Sequence, residues 1–139
     1  MAKWSERAEW WFEESIWDFE AAKDLLQTKR YNYVCFHAQQ AAEKMLKALL
    51  LAFSENAWGH SVRDLLERLG ELMRFDRDQL LASARELDRH YIPSRYPDAL
   101  PSGPPKRAYD KETAKRSLSL ADDILELGRK KRQELLEEE

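Results

Sequence analysis

Eleven residues in the second half of the chain bring together side chains that can exchange protons, carry charge and donate hydrogen bonds. The segment 88–98 reads DRHYIPSRYPD, and it contains one of the three histidines and two of the five tyrosines. Pro93 and Pro97 bias the residues before them toward extended conformations, so the preceding helical pattern should end just before or within this segment. A stiff loop of this composition beside helices is better suited to binding than to filling a core.

The loop contains a candidate binding set made of Tyr91, Arg95 and Tyr96. A tyrosine ring can stack on a nucleic-acid base, and an arginine can contact a phosphate through two parallel hydrogen bonds. The competing interpretation is structural. In it, Arg95 bonds to carboxylates or loop carbonyls, and the tyrosines pack the loop against a helix.

Three blocks of the sequence resemble those of small prokaryotic HEPN-domain proteins. The first is YIPSRYPDA at 91–99, and the second is YVCFHAQQAAEK at 33–44, followed by Lys47 and an apolar run to Leu51. The third is GHSV at 59–62, which opens a short helix. The blocks lie in the family's order, and the resemblance covers nearly the whole chain.

The resemblance also implies a catalytic hypothesis for Arg85 and His90. HEPN ribonucleases use an arginine and a histidine, four to six residues apart, that are paired across a dimer. RNA cleavage can use the neighbouring 2′-hydroxyl as nucleophile without a metal, while histidine exchanges the protons and arginine neutralises the charge that develops on phosphorus. The alternative is that His90 is a structural residue near the negative end of a helix dipole.

The second predicted helix carries a polar side formed by His37, Gln40 and Lys44, which share one face by their spacing of three and four. Gln39 and Glu43 share another. The family resemblance suggests that this polar side borders a groove near the loop. The alternative is a solvated face, or a set of polar groups that are hydrogen-bonded at a dimer seam.

Length and composition restrict the class of protein. The 139 residues predict one domain spanning 1–139, and the net charge of −3 argues against a general polyanion binder, so any nucleic-acid contact must be local. The single Cys35 excludes an internal disulfide and fits a cytoplasmic location. We predict no metal site, cofactor, signal peptide or membrane span. The high charged fraction, 35%, and the near absence of Asn hint at a thermophilic source.

Hydrophobic periodicity predicts an all-α fold, a five-helix up-and-down-like bundle without strands. The helices should cover about 3–28, 31–53, 61–70 and 76–89, with the fifth starting after Asp110. Ser61, Asp76 and Asp110 are the expected N-caps, and Gly70 is an expected interruption or end. The charged segment 129–139 is expected to fray in solvent.

The first predicted helix has more tryptophan than one side of one bundle usually buries, and we therefore predict a homodimer. These residues are Trp4, Trp10, Trp11 and Trp17. The predicted function is binding of a nucleotide or nucleic acid, together with a separately encoded minimal nucleotidyltransferase, which the resemblance implies. Two alternatives stay open: a metal-independent endoribonuclease toxin of a toxin–antitoxin pair, and a non-catalytic protein-interaction module.

Overall fold

A computed structural model of the chain describes residues 1–101 and 103–139, and within these ranges every regular element is a helix. The all-α prediction is therefore confirmed. The elements in chain order are α1 (Glu6–Gln27), α2 (Tyr31–Ala52), α3 (Val62–Gly70), α4 (Arg77–Asp88), a 3-10 turn (Pro97–Ala99), α5 (Pro105–Ala108) and α6 (Lys111–Glu137). The sequence predicted five helices. The additional one, α5, is a single turn in the Pro-rich loop, and Pro105 occupies its first position.

Side-chain caps explain where three of the helices begin. The side chains of Ser5, Ser61 and Asp110 accept hydrogen bonds from the backbone N–H three residues later, at 2.8–3.1 Å. Asp76 immediately precedes α4, as predicted, but its side chain forms no capping hydrogen bond. Gly70 is the last residue of α3, as the sequence indicated.

Helix α2 lies at the centre of the bundle and packs mainly against α1 and α6. Its alanines at 38, 41 and 42 are fully buried and let α1 approach closely, so that Ser15 Oγ donates a hydrogen bond of 2.6 Å to the Ala41 carbonyl. The largest fully buried apolar side chains surround the same axis: Met45, Leu46, Leu49, Leu50, Leu65, Leu66, Leu69, Leu87, Ile124 and Leu125. Burial of each such leucine or isoleucine contributes about 1.5–3 kcal/mol.

A smaller apolar cluster lies at the other end of α2 and contains Ala22, Val34, Cys35 and Ala114. Cys35 is fully buried, and its Sγ accepts a hydrogen bond of 3.2 Å from Ser117 Oγ of α6. Burial raises the pKa of the Cys35 thiol to about 11. The residue is therefore a small buried hydrophobe rather than a reactive thiol.

The expectation that residues 129–139 fray is wrong, because α6 continues to Glu137 and its end packs on α1. Leu135 is 4% exposed. Arg132 forms a bidentate ion pair with Glu9, with Nε–Oε1 and Nη2–Oε2 distances of 2.7 and 3.0 Å, and its guanidinium lies 4.6 Å from the Phe12 ring. The charges of this segment occupy only part of the helix surface, and the remaining face is apolar.

Trp10 and Trp17 lie outside the apolar seam of α1 and are 54% and 73% exposed, whereas Trp4 is buried. Their exposure agrees with their predicted positions off the seam.

Among the residues that the structure describes, no helix has both the length and the apolar character that a membrane crossing requires.

Candidate functional site

Ser94 forms one hydrogen bond within the loop after α4 and one that joins this loop to the start of α2. This residue is fully buried, and its Oγ donates to the His90 carbonyl. The Ser94 carbonyl in turn accepts a hydrogen bond of 3.0 Å from Asn32 Nδ2 at the beginning of α2. The loop is therefore a fixed surface and can hold side chains in defined positions.

Arg95 lies at the centre of this surface, in contact with three aromatic rings. Its Cζ is 4.5 Å from the centroid of Phe36, 4.7 Å from Tyr91 and 5.0 Å from Tyr96. Its Nε donates a hydrogen bond of 2.9 Å to the Tyr91 carbonyl. The two η nitrogens form no hydrogen bond or ion pair with any residue in the described ranges. The guanidinium is thus held in place while most of its donors are unoccupied by the protein.

His60 stacks on the Tyr91 ring, with centroids 5.1 Å apart and planes inclined by 16°. Its Nδ1 lies 3.3 Å from Oε1 of Glu43, which is only 3% exposed and also pairs with Lys47 Nζ at 3.0 Å. The His60 side chain itself is 62% exposed. A buried carboxylate therefore orients a solvent-facing imidazole beside the loop.

The carboxylate of Asp88, the last residue of α4, holds the start of α3 next to this imidazole. Its Oδ1 accepts a hydrogen bond from Val62 N at 2.8 Å, and its Oδ2 accepts from Arg63 N and Ser61 Oγ, both at 3.0 Å. Gln39 Nε2 donates to the His60 carbonyl at 2.9 Å. Side chains from α2 and α4 thus fix the position of His60.

The polar residues predicted along α2 fall into two groups. His37 Nδ1 lies 3.0 Å from Asp18 Oδ1, and Lys44 Nζ lies 2.6 Å from Asp18 Oδ2, so both link α2 to α1. Burial alone would raise the pKa of Asp18, but the hydrogen bond from His37 and the Lys44 ammonium outweigh it and lower this pKa. Gln40 Nε2 donates to Gln39 Oε1 at 2.8 Å.

His37 also contacts one of the aromatic rings around Arg95. Its ring meets Phe36 edge-on, with a centroid distance of 5.3 Å. Neither Gln40 nor Lys44 has a hydrogen bond or ion pair with Tyr91, Arg95 or Tyr96 in the described ranges. The predicted ligand set therefore divides into three parts: the loop residues Tyr91, Arg95 and Tyr96, the residues His37 and Lys44 that pair with Asp18 of α1, and Gln40, whose hydrogen bonds stay within α2.

No hydrogen bond joins Arg85 to His90 among the residues that the structure describes. His90 Nδ1 lies 2.8 Å from Tyr109 Oη, with the two rings edge-on at 5.3 Å. Burial lowers the pKa of His90, although the Glu86 carboxylate opposes this shift, and burial raises the pKa of Tyr109 to about 12. Arg85 is exposed and has no ion pair with a residue that the structure describes.

Two residues of the site, Phe36 and His60, were absent from the predicted binding set. Phe36 belongs to the block at 33–44 and His60 to the block at 59–62, both of which carried the family resemblance. The resemblance identified these two segments but did not indicate that they contact the loop, because the contacts depend on how α2, α3 and α4 pack.

A sequence model of the HEPN domain matches residues 8–132, which is most of the chain. The chain belongs to the HEPN family. This confirms the resemblance that the three sequence blocks indicated. The matched range contains α2 to α5 completely. It also covers α1 from its third residue and α6 up to residue 132.

Individual relatives of this HEPN protein support the same assignment. The protein named "Putative toxin MJ1304", from Methanocaldococcus jannaschii, is 29% identical over 118 residues, covering 79% of this chain and 78% of that protein. The crystal structure of TT1696 from Thermus thermophilus superposes with a TM-score of 0.87 at 43% identity, covering 91% of this chain and 99% of that one. The crystal structure of ST0689, an archaeal HEPN homologue, gives a TM-score of 0.76 at 31% identity, covering 91% of this chain and 98% of that one.

The side chains around Arg95 and His60 supply a cation, aromatic rings and an imidazole. Within the ranges 1–101 and 103–139, no group of three or more His, Cys, Asp or Glu side chains is arranged to hold a metal ion. The loop side chains can bind an anion through Arg95 and offer ring faces for stacking.

Proposed function

We propose that this HEPN protein binds a nucleotide or nucleic acid at the surface formed by Tyr91, Arg95 and Tyr96. The main support is the way in which the Arg95 guanidinium is held. Three aromatic rings and one carbonyl hold its guanidinium, while its η nitrogens have no partner among the described residues. A planar fork of this kind matches the geometry of a phosphate group.

The two tyrosines have different roles in this proposal. Tyr91 is already stacked on His60 and packs against the Arg95 guanidinium, so it acts as a scaffold. Tyr96 is 50% exposed and touches Arg95, so a base bound next to the phosphate can stack on its ring. Stacking of a base on an aromatic side chain contributes about 1–3 kcal/mol.

Binding can be tested by fluorescence anisotropy with a labelled RNA oligonucleotide and by calorimetry with mononucleotides. We expect Arg95→Ala to weaken binding and to reduce the slope of log affinity against log salt by about 0.7, because one phosphate contact with a single strand is lost. Tyr96→Ala should weaken binding with little change in slope, since stacking carries no charge. Arg63→Ala is the control, because Arg63 is exposed and paired with Asp64 and Glu67. Equal affinities for the wild type and Arg95→Ala would refute the proposal.

We also propose that the protein acts in the cytoplasm with two protein partners. One is a second copy of the chain, and the other is a separate minimal nucleotidyltransferase. The exposed Trp10 and Trp17 rings on α1 support self-association. Sedimentation should give a dimer at about tens of micromolar, and Trp10→Ser combined with Trp17→Ser should shift it toward monomer. Co-purification of a tagged chain with the nucleotidyltransferase from the same genome should recover a complex.

The second candidate function is a metal-independent endoribonuclease toxin that uses Arg85 and His90. Two observations favour it: the name of the Methanocaldococcus jannaschii relative, and the lowered pKa of His90, which keeps the imidazole neutral and able to accept a proton near neutral pH. The contact of its Nδ1 with Tyr109 leaves only Nε2 for such a role.

Incubation of the purified protein with a mixed RNA pool tests this candidate. If it is right, cleavage should persist in EDTA and should disappear in both His90→Ala and Arg85→Ala, while circular dichroism shows the helices unchanged. Intact RNA together with salt-sensitive binding would eliminate the nuclease and retain the binding function. We expect salt-sensitive binding without cleavage.

A further inference from the structure

The turn between α1 and α2 opens onto two cavities that share one side chain. The larger, of about 430 Å³, is lined by Thr28, Lys29, Arg30, Asn32, Tyr33 and Lys106. The smaller, of about 320 Å³, lies on the other side of Lys29, and Lys111 and Lys115 of α6 contribute to its lining. We refer to the five cations Lys29, Arg30, Lys106, Lys111 and Lys115 as the Lys29 strip.

The five cations of the Lys29 strip are free of direct ion pairs within the described residues. None of its five cations forms an ion pair with a carboxylate in the described part of the chain, whereas Lys44, Lys47 and Arg132 all do. The chain as a whole carries a net charge of −3. A concentration of unpaired cations around two cavities in an acidic protein indicates a site for an anion.

The backbone of Lys29 supports a functional reason for its presence. Its φ is +63°, and Lys29 N and Arg30 N donate to the carbonyls of Leu26 and Leu25, which closes the C-terminus of α1. Glycine is the favoured residue in this left-handed position, because a Cβ makes the conformation unfavourable. A lysine that occupies a strained position and lines both cavities indicates that its side chain is needed there.

The strip lies beside the Arg95 surface. Asn32, in the wall of the larger cavity, donates its side-chain hydrogen bond to the Ser94 carbonyl, one residue before Arg95. Tyr33 lines the same cavity, is 45% exposed, and precedes Phe36 by one helical turn of α2. Phe36 contacts Arg95. Cations and exposed tyrosines therefore continue from the loop to the α1–α2 turn.

We propose that the Lys29 strip binds the sugar–phosphate backbone of a single-stranded polynucleotide, and the inference rests on the proposed function because the same strand then continues to Arg95. Because its cations line two cavities, the strip offers contacts for more than one phosphate group. Tyr33 and Tyr96 both present exposed rings, which stack on unpaired bases but not on bases inside a duplex. RNA and DNA strands share this chemistry.

The test uses fluorescein-labelled 15-nucleotide RNA and DNA strands, the corresponding duplexes and a mononucleotide, titrated at several salt concentrations. Each cation removed should reduce the slope of log affinity against log salt by about 0.7. Lys29→Gly, combined with Lys106→Gln and Lys111→Gln, should therefore reduce the slope by about 2. Binding of the mononucleotide should stay unchanged, because Arg95 is intact.

Lys29→Gly alone is the most direct variant, because relief of the left-handed strain should leave the melting temperature equal or higher while affinity for the strand falls. Ser54→Gly is its matched control. Ser54 also has a positive φ, +60°, but it follows the opposite end of α2, so this change should raise stability without affecting binding. Lys130→Gln, near the other end of α6, controls for the loss of one charge.

The outcomes separate this inference from the proposed function. Unchanged strand binding in the triple variant, with loss of binding in Arg95→Ala, would overturn the inference and retain the Arg95 site. The reverse result would retain the strip and overturn the Arg95 site. Equal affinity for duplex and single strand would overturn the assignment to unpaired strands, and a wild type that binds none of these probes would overturn both.

Discussion

Replacement of Asp88 by alanine removes the carboxylate through which α4 holds the start of α3. Two backbone N–H groups, of Val62 and Arg63, donate to this carboxylate at 2.8 and 3.0 Å, and Ser61 Oγ donates to it at 3.0 Å. Hydrogen bonds to a charged group contribute about 1.5–3 kcal/mol each, and less where water reaches the pair. Since the Arg63 N–H is exposed, we expect a loss of about 3 kcal/mol in the free energy of unfolding.

A loss of this size is a large part of the total stability of a typical domain, about 5–15 kcal/mol. For a chain of this length, it corresponds to a decrease in melting temperature of about 10 °C. Urea titration followed by circular dichroism measures the free energy, and a thermal scan measures the midpoint. Asp88→Asn retains one acceptor oxygen and should lose about half as much. Asp24→Ala, on the exposed side of α1, is the control for removal of a carboxylate.

The reasoning would be refuted if Asp88→Ala unfolded within about 1 kcal/mol of the wild type. Water would then replace the carboxylate at the first turn of α3 without loss of stability, and the position of His60 beside Tyr91 would have to depend on its contacts with Gln39 and Glu43.

Further changes test the packing and the titration of the bundle. Gly128→Ala should destabilise the protein by about 1–3 kcal/mol in urea titration, because the added Cβ would lie 2.0 Å from Met45 Sδ, and Met45→Ala in the same chain should recover part of this loss. Because burial lowers the pKa of His90, the unfolded chain binds a proton at a higher pH than the folded chain does. Protonation of His90 should therefore lower the melting temperature as the pH falls below about 6.5, and it should have no effect at higher pH. In His90→Gln, the melting temperature should depend less on pH in this range. Arg132→Ala should lower the free energy of unfolding by about 1 kcal/mol, because Glu9 loses its ion pair and keeps only the hydrogen bond from Trp4. An unchanged free energy would mean that this ion pair contributes nothing measurable.

The helices could be predicted from the sequence because their signals are local. The apolar residues of α1 and α2 recur with the helical period, and Ser61 and Asp110 form their capping bonds within three residues. The end of α6 was not predictable in this way. Its stability depends on the contact of Arg132 with Glu9, 123 residues earlier in the chain, and the local sequence shows only a high density of charge.

The candidate site could be predicted only where its residues are neighbours in sequence. Tyr91, Arg95 and Tyr96 share one loop, so their proximity followed from the chain itself. The approach of His60 to Tyr91 required the packing of α3 on α4. The surroundings of His90 were not predictable either, because α4 ends at Asp88 and the histidine contacts Tyr109, 19 residues later in the chain.

The burial of Cys35 gives the protein an internal reporter of its own motion. A thiol with a pKa of about 11, enclosed between α2 and α6, reacts with an alkylating reagent only in molecules in which the two helices have separated. The rate of modification of the native protein therefore measures the free energy of that opening, with no engineered probe. A ligand that bridges Tyr33 of α2 and Lys111 of α6 should slow this reaction, so that binding at the turn can be read from the chemistry of one sulfur atom in the interior.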